Sequence, residues 1–327
     1  FVAVRPVASR GTQWRVIVAM PLAPADVAQA VGAQLSNDLT EVASVVNSQY
    51  NRVVANGGML DTLGSIAAFA PSFVQNQPMM NVFGAGQRIG DENQTMMLLS
   101  SMHGAQLGDY QALTQNASHP CRRDYDIPNI DDPTAIVLDD KKCSYNITQR
   151  FFWSGILAAS GAYTQLPAAA STSGAGVILL FSGQGYRMPN NKRGIIMAAM
   201  TTKTLSAQLQ SLVEGISGAV ALVYEVQTTN VIGVSWSGEN LVGATEYDVT
   251  SNAPHVTVKN LTVLSSNAVM TNAIQLLGGA AAAAQTETTD KLTNGMFVAV
   301  RPVASRGTQW RVIVVMPLAP ADVAQAV

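Results

Sequence analysis

Charged side chains are scarce in this sequence. Asp, Glu, Lys and Arg together make up 12% of its 327 residues, about half the share usual in soluble domains. The formal net charge is −2 and the isoelectric point is near 5.9, so there is no basic footprint for a nucleic acid. Histidine is rarer still: His103, His119 and His255 are scattered and match no metal-ligand spacing. Mean hydropathy is +0.18, yet no run approaches the roughly 18 apolar residues of a membrane span. Gly278 to Ala284, the longest stretch of small residues, is too short. The sequence therefore points to no metal, cofactor, nucleic acid or membrane contact within this segment.

What the sequence does have is a long internal repeat. Phe1 to Val31 returns as Phe297 to Val327 with one change, Ala19 becoming Val315. The offset of 296 residues far exceeds the 20 to 50 residues of solenoid repeats. It is the size of one large or two medium domains, so the chain reads as a window on a tandem array. Phe1 opens in mid-pattern, without Met or a signal peptide, which fits such a window. An engineered permutant would give the same pattern. In the array reading, 1–20 is the closing hairpin of the preceding repeat, 21–316 is a full repeat, and 317–327 starts the next repeat's helix.

Hydrophobic periodicity outlines the repeat. Val27, Val31, Leu35, Leu39, Val42, Val46, Tyr50 and Val53 fall at steps of three and four. They predict one long helix over 25–56, begun near Asp26 and stopped by Gly57-Gly58. A second helix is predicted over 60–70. Unbroken apolar runs at 177–182 and 194–200 read as buried strands, and 219–224 with 231–235 as a hairpin. Residues 270–284 read as helix, and 297–301 with 310–316 as a closing hairpin. Gly84 to Gly90 reads as a turn, since it lacks the GxGxxG spacing and Asp91 and Glu92 would repel a phosphate. Between Gly108 and Gln149 lies a polar, Asp-rich insert. Cys121 and Cys143 sit there, 22 positions apart, and in an oxidising compartment they would close it as a disulfide. N-x-S/T sequons begin at Asn93, Asn116, Asn146 and Asn260, about as many as chance would give in a chain this rich in Asn, Ser and Thr.

Three segments resemble the double Cache domain, an extracytoplasmic sensing module with two PAS-like lobes. They are Phe152-Trp153 with Tyr163; 194–205 followed by 218–224 and 231–235; and 310–317. The resemblance spans nearly the whole period. It implies an α+β fold: a long N-terminal helix against two antiparallel-sheet lobes, the first over about 75–235 and the second over about 236–316. Amino-acid-binding members carry an Arg two positions before the Trp, a downstream Tyr, and an Asp at the end of the central strand. Here Phe151 stands two before Trp153, Arg150 is one residue further off, and Ala199 occupies the Asp position. Without that counter-charge an ammonium ligand loses its charge-assisted partner. Arg150, Trp153, Tyr163 and Tyr186 then remain as vestigial pocket residues.

No nucleophile, acid–base pair or metal cluster emerges, so the sequence suggests no enzyme. Near-identical copies, low charge and the degraded ligand motif lead to the expectation of an extracellular or cell-surface structural protein. Its repeats would associate head-to-tail into a filament or appendage. The alternative is a receptor ectodomain for a small ligand other than a standard amino acid.

Overall fold

The structure, a computed structural model, describes residues 2–9, 12–19, 24–58, 79–89, 92–100, 111–116, 119–126, 137–142, 150–170, 178–189, 191–248, 253–264, 266–293, 295–307 and 309–318. The helix expected over 60–70 lies outside them. Helix α1, Pro24–Ala55, has 32 residues and is about 48 Å long. Its apolar stripe is its buried face: Val27, Val31, Leu35, Leu39, Val42 and Val46. Asp26 in the first turn and Arg52 in the last match the helix dipole. Gly57 and Gly58, at φ 73° and 125°, end the helix in a backbone conformation that side chains disfavour.

Two antiparallel sheets pack on α1. The first contains β3 (Val82–Ile89), β4 (Glu92–Ser100), β8 (Tyr163–Gln165), β9 (Ala169–Ala170), β10 (Ile178–Arg187) and β11 (Lys192–Thr201). Its order is β4-β3-β11-β10-β8, and β9 also pairs with β10. Helix α2, Phe151–Ala158, covers its far face. Helix α3, Thr202–Val213, leads to the second sheet. That sheet contains β12 (Val220–Glu225), β13 (Val231–Val234), β16 (Thr289–Thr293), β17 (Met296–Val303) and β18 (Trp310–Pro317), in the order β13-β12-β18-β17-β16. Helices α4 (Ala268–Leu276) and α5 (Ala280–Gln285) lie on its outer face.

Three further sheets are small. Among the described residues β1 (Val2–Ser9) pairs only with β2 (Thr12–Ala19), and β14 (Val242–Asp248) with β15 (Ala253–Val258). β5 (Gln111–Asn116), β6 (His119–Asp126) and β7 (Val137–Lys142) form a three-stranded sheet within the insert.

The apolar interior has three parts. The central one joins α1 and α3 to one face of both sheets, so it is shared by the two lobes. The second lies between the outer face of the second sheet and α4–α5. The third lies between the outer face of the first sheet and α2. Residues of β10, β11, β17 and β18 alternate between two buried faces, which is why those segments read as continuous apolar runs rather than as alternating ones.

Several expectations are corrected. Residues 220–234 belong to the second lobe, not the first, because β12 pairs with β18 in register Leu222↔Ile313. The polar insert, for which the sequence suggested no strand, contains three. Gly84 and Gly86 lie inside β3 instead of in a turn. A Cβ on neighbouring Gly194 would stand 2.2 Å from the Gly86 carbonyl oxygen and 2.4 Å from the Tyr186 ring, so the glycines let these strands and that ring close together. The helix expected over 270–284 is two helices, divided at Gly278 and Gly279, both at positive φ.

Candidate functional site

The resemblance placed a pocket around Arg150, Trp153, Tyr163 and Tyr186, and the fold distributes these residues over both faces of the first sheet. Alternation along β10 sets the partition. Leu180 and Tyr186 face the central core with α1, while Phe181 faces α2. Tyr186 is buried, and its hydroxyl donates to Gln87 Oε1 at 3.2 Å. Tyr163 packs on the same side. Burial pushes its phenol up to about 12, despite a hydrogen bond with Ser182. Trp153 is buried on the opposite face, with Phe152, Ile156 and Leu157 of α2. Arg150 is the N-cap residue of α2, where its carbonyl accepts from the Trp153 and Ser154 amides. Thus Trp153 and Arg150 go with α2, and the two tyrosines with α1.

The α2 face is aromatic. Phe152 and Phe181 stack at 4.8 Å and 19°, and Phe151 meets the Phe181 ring edge-on at 5.5 Å and 83°, contacts that add to plain area burial. Ala199 pairs with Phe181 across the β10–β11 ladder and lies on this face. The residue expected to carry a carboxylate is therefore a methyl group in an apolar cluster. At the other end of β10 the helix sits directly on the strand. A Cβ on Gly185 would lie 2.7 Å from the Ile156 carbonyl oxygen and from Leu157 Cα. Of this face, Phe151 is the part open to solvent, at 47% exposure.

Two polar clusters were invisible in the sequence. Asn81 Oδ1 accepts from the Thr201 amide at 2.9 Å and from Thr204 Oγ1 at 2.7 Å, and Thr201 Oγ1 caps the Thr204 amide at 3.1 Å. This network fixes the junction of β11 with α3. Glu225, at the end of β12, is 5% exposed. Its Oε1 accepts from the Ala168 amide at 2.8 Å, and its Oε2 from Thr228 Oγ1 at 2.6 Å. Burial raises its pKa, and the hydrogen bonds from Thr228, Ala168 and Asn230 offset only part of the rise. This carboxylate ties the segment before β9 to the second lobe.

Of the sequons, Asn93 lies in edge strand β4, and Asn116 ends β5. Asn260 forms a bridge with Asn230, and its Oδ1 accepts from the Thr262 amide. Asn146 and Cys143 lie outside the described residues, while Cys121 is in β6. Among the described residues, no three His, Cys, Asp or Glu side chains gather as a metal site.

No protein-family model and no curated protein matches the chain. Solved structures do. The periplasmic sensory domain of the Campylobacter jejuni chemoreceptor Tlp1 aligns over 90% of this chain and 93% of its own, with a TM-score of 0.55 and 10% identity. This is the double Cache fold. The ligand-binding domain of the Pseudomonas aeruginosa amino-acid chemoreceptor PctC, solved with GABA, covers 89% of this chain and 97% of its own, at 14% identity and a TM-score of 0.49. The Campylobacter jejuni Tlp3 domain, solved with L-valine, covers 92% of each chain at 9% identity and a TM-score of 0.47.

The filament reading is overturned: the fold is that of the Tlp1 domain, which is described as a periplasmic sensory domain. No match supports head-to-tail association of repeats. β10, β11, β17 and β18 bury apolar residues on two faces. Where side-chain burial is described, Val54, Phe151 and Val263 are the large hydrophobic side chains left exposed.

Proposed function

We propose that the chain is a non-enzymatic sensing ectodomain, on the outer side of a cytoplasmic membrane, for a small ligand other than a standard amino acid. The observation that carries this is the Tlp1 sensory-domain fold over 90% of the chain, combined with Ala199 on the α2 face. A carboxylate there would hold an ammonium group, and a methyl group among Phe152, Trp153 and Phe181 holds none. The ligand expected at this face is uncharged at that end and flat or apolar enough to meet Phe151 and Phe181. Residues 21–316 form the sensing unit, and 1–20 corresponds to the hairpin that closes it.

A thermal-shift screen tests this with two panels, the standard amino acids and amine-free aromatic or aliphatic small molecules. Saturable stabilisation by a member of the second panel, reduced by Phe151→Ala, is expected. Stabilisation by a standard amino acid, or by no compound in either panel, would overturn the reading.

A further inference from the structure

The chain contains two copies of one hairpin, and the second lobe has a place for one. In the structure β17 and β18 fill it, between β16 and β12. They are buried on both faces: Val298, Val300, Ile313 and Val315 face α4–α5, and Ala299, Val312, Val314 and Met316 face α1. β1 and β2 carry the same residues at the same positions, apart from Ala19 in place of Val315, and pair in the same register. Val2↔Ala19 corresponds to Val298↔Val315, and Val7↔Trp14 to Val303↔Trp310. Yet among the described residues β1 and β2 pair with no other strand. A sequence selected for burial on both faces is in this way present twice.

The route from α1 to that place is short. Ser36 Oγ accepts from the Ala304 amide at 2.9 Å. A Cβ on Gly32 would meet Arg301 Cβ at 3.3 Å and Val312 Cγ1 at 3.8 Å. Toward its N-terminus, α1 therefore runs from the turn of the β17–β18 hairpin toward its open end. From Gly32, Pro24 is about 12 Å further on, and from Val312, Pro317 is about 17 Å further on. The start of α1 and the end of β18 thus lie at the same end of the lobe. Were β2 in the place of β18, Pro21 would stand where Pro317 does, and the chain from there to Pro24 would need to cross a packing gap of about 10 Å. Three residue steps span about 11 Å.

We propose that the two hairpins are alternative occupants of one position in the second sheet of the same molecule, with 297–316 favoured. The preference lies at the single difference. Val315 is fully buried opposite Val298 in the core shared with α4–α5, where Ala19 would leave two methyl groups unreplaced. Two buried methyl groups shift the ratio of occupants by roughly tenfold. The inference rests on the fold and the repeat, not on the ligand reading.

Fluorine NMR of the full chain labelled with 5-fluorotryptophan tests it. Trp14 and Trp310 are equivalent positions of the two hairpins, and Trp310→Phe assigns them. Ala19→Val keeps the C-terminal hairpin intact and makes the copies equal. It is expected to transfer Trp14 intensity to the buried Trp310-type resonance, raising the ratio roughly tenfold. Val315→Ala is expected to act in the same direction. Trp14 intensity unchanged in both variants would overturn the proposal. So would a transfer that depends on protein concentration, which would place the hairpin in another molecule.

Discussion

Ionising Glu225 removes a carboxylate from water and returns hydrogen bonds from Ala168, Thr228 and Asn230, with burial the largest influence on its pKa. Its pKa is raised above the reference of 4.5, so the folded state holds the proton to higher pH than the unfolded chain does. Stability is therefore lowest above the folded pKa and improves as pH falls through it toward 4.5. Glu225→Gln is expected to flatten that part of the profile, as followed by Tm against pH. A variant with the wild-type slope would show that other groups set it. Sequence could not reveal this residue, because its partner Ala168 is 57 positions away; Asn81 and Thr201 are 120 apart. The missing carboxylate at Ala199 was legible, because the resemblance fixes which position to inspect.

At the scale of elements, legibility followed the number of faces an element buries. Helix α1 buries one stripe, and its spacing gave its length and its buried residues up to Val46, while Tyr50 and Val53 are half-buried. β3 was harder: Gly84 and Gly86 look like punctuation, yet they pair with Met197 and Ile195 of β11, and it is Gly194 on that strand whose missing Cβ lets the Gly86 carbonyl and the Tyr186 ring approach. The lobe boundary failed for a related reason, since local pattern cannot show that β12 pairs with β18 beyond α4 and α5. In the insert, β6 and β7 pair Arg123 with Lys141 and Arg122 with Lys142. Cys143 lies outside the described residues, so the expected bridge to Cys121 rests on the spacing in the sequence alone. Alkylation of the unreduced, denatured protein is expected to find both cysteines blocked. Reduction is then expected to cost roughly 3 kcal/mol for a loop of this size. Two freely alkylated thiols would refute the bridge.

At the scale of the whole molecule, the central core decides how the lobes behave. α1 and α3 contribute to one apolar cluster with residues of both sheets, such as Ile196 and Met200 from one and Val312 and Val314 from the other. The lobes are therefore expected to melt together, with calorimetric and van't Hoff enthalpies in agreement. Leu35→Ala, in the middle of α1, is expected to cost about 2–5 kcal/mol and to lower that one transition without splitting it. Two resolved transitions would mean that the lobes are separate cooperative units. The pairing of β12 with β18 also has a consequence for biosynthesis. The sheet of the first lobe has all its strands once β11 leaves the ribosome. β12 then waits for α4, α5, β16 and β17 to be made before β18 arrives. During that interval β12, buried on both faces in the finished protein, has an edge without β18; unless β2 takes it, as the proposal above allows, wrong pairing and aggregation begin there. The nascent chain is most vulnerable between the emergence of β12 and that of β18.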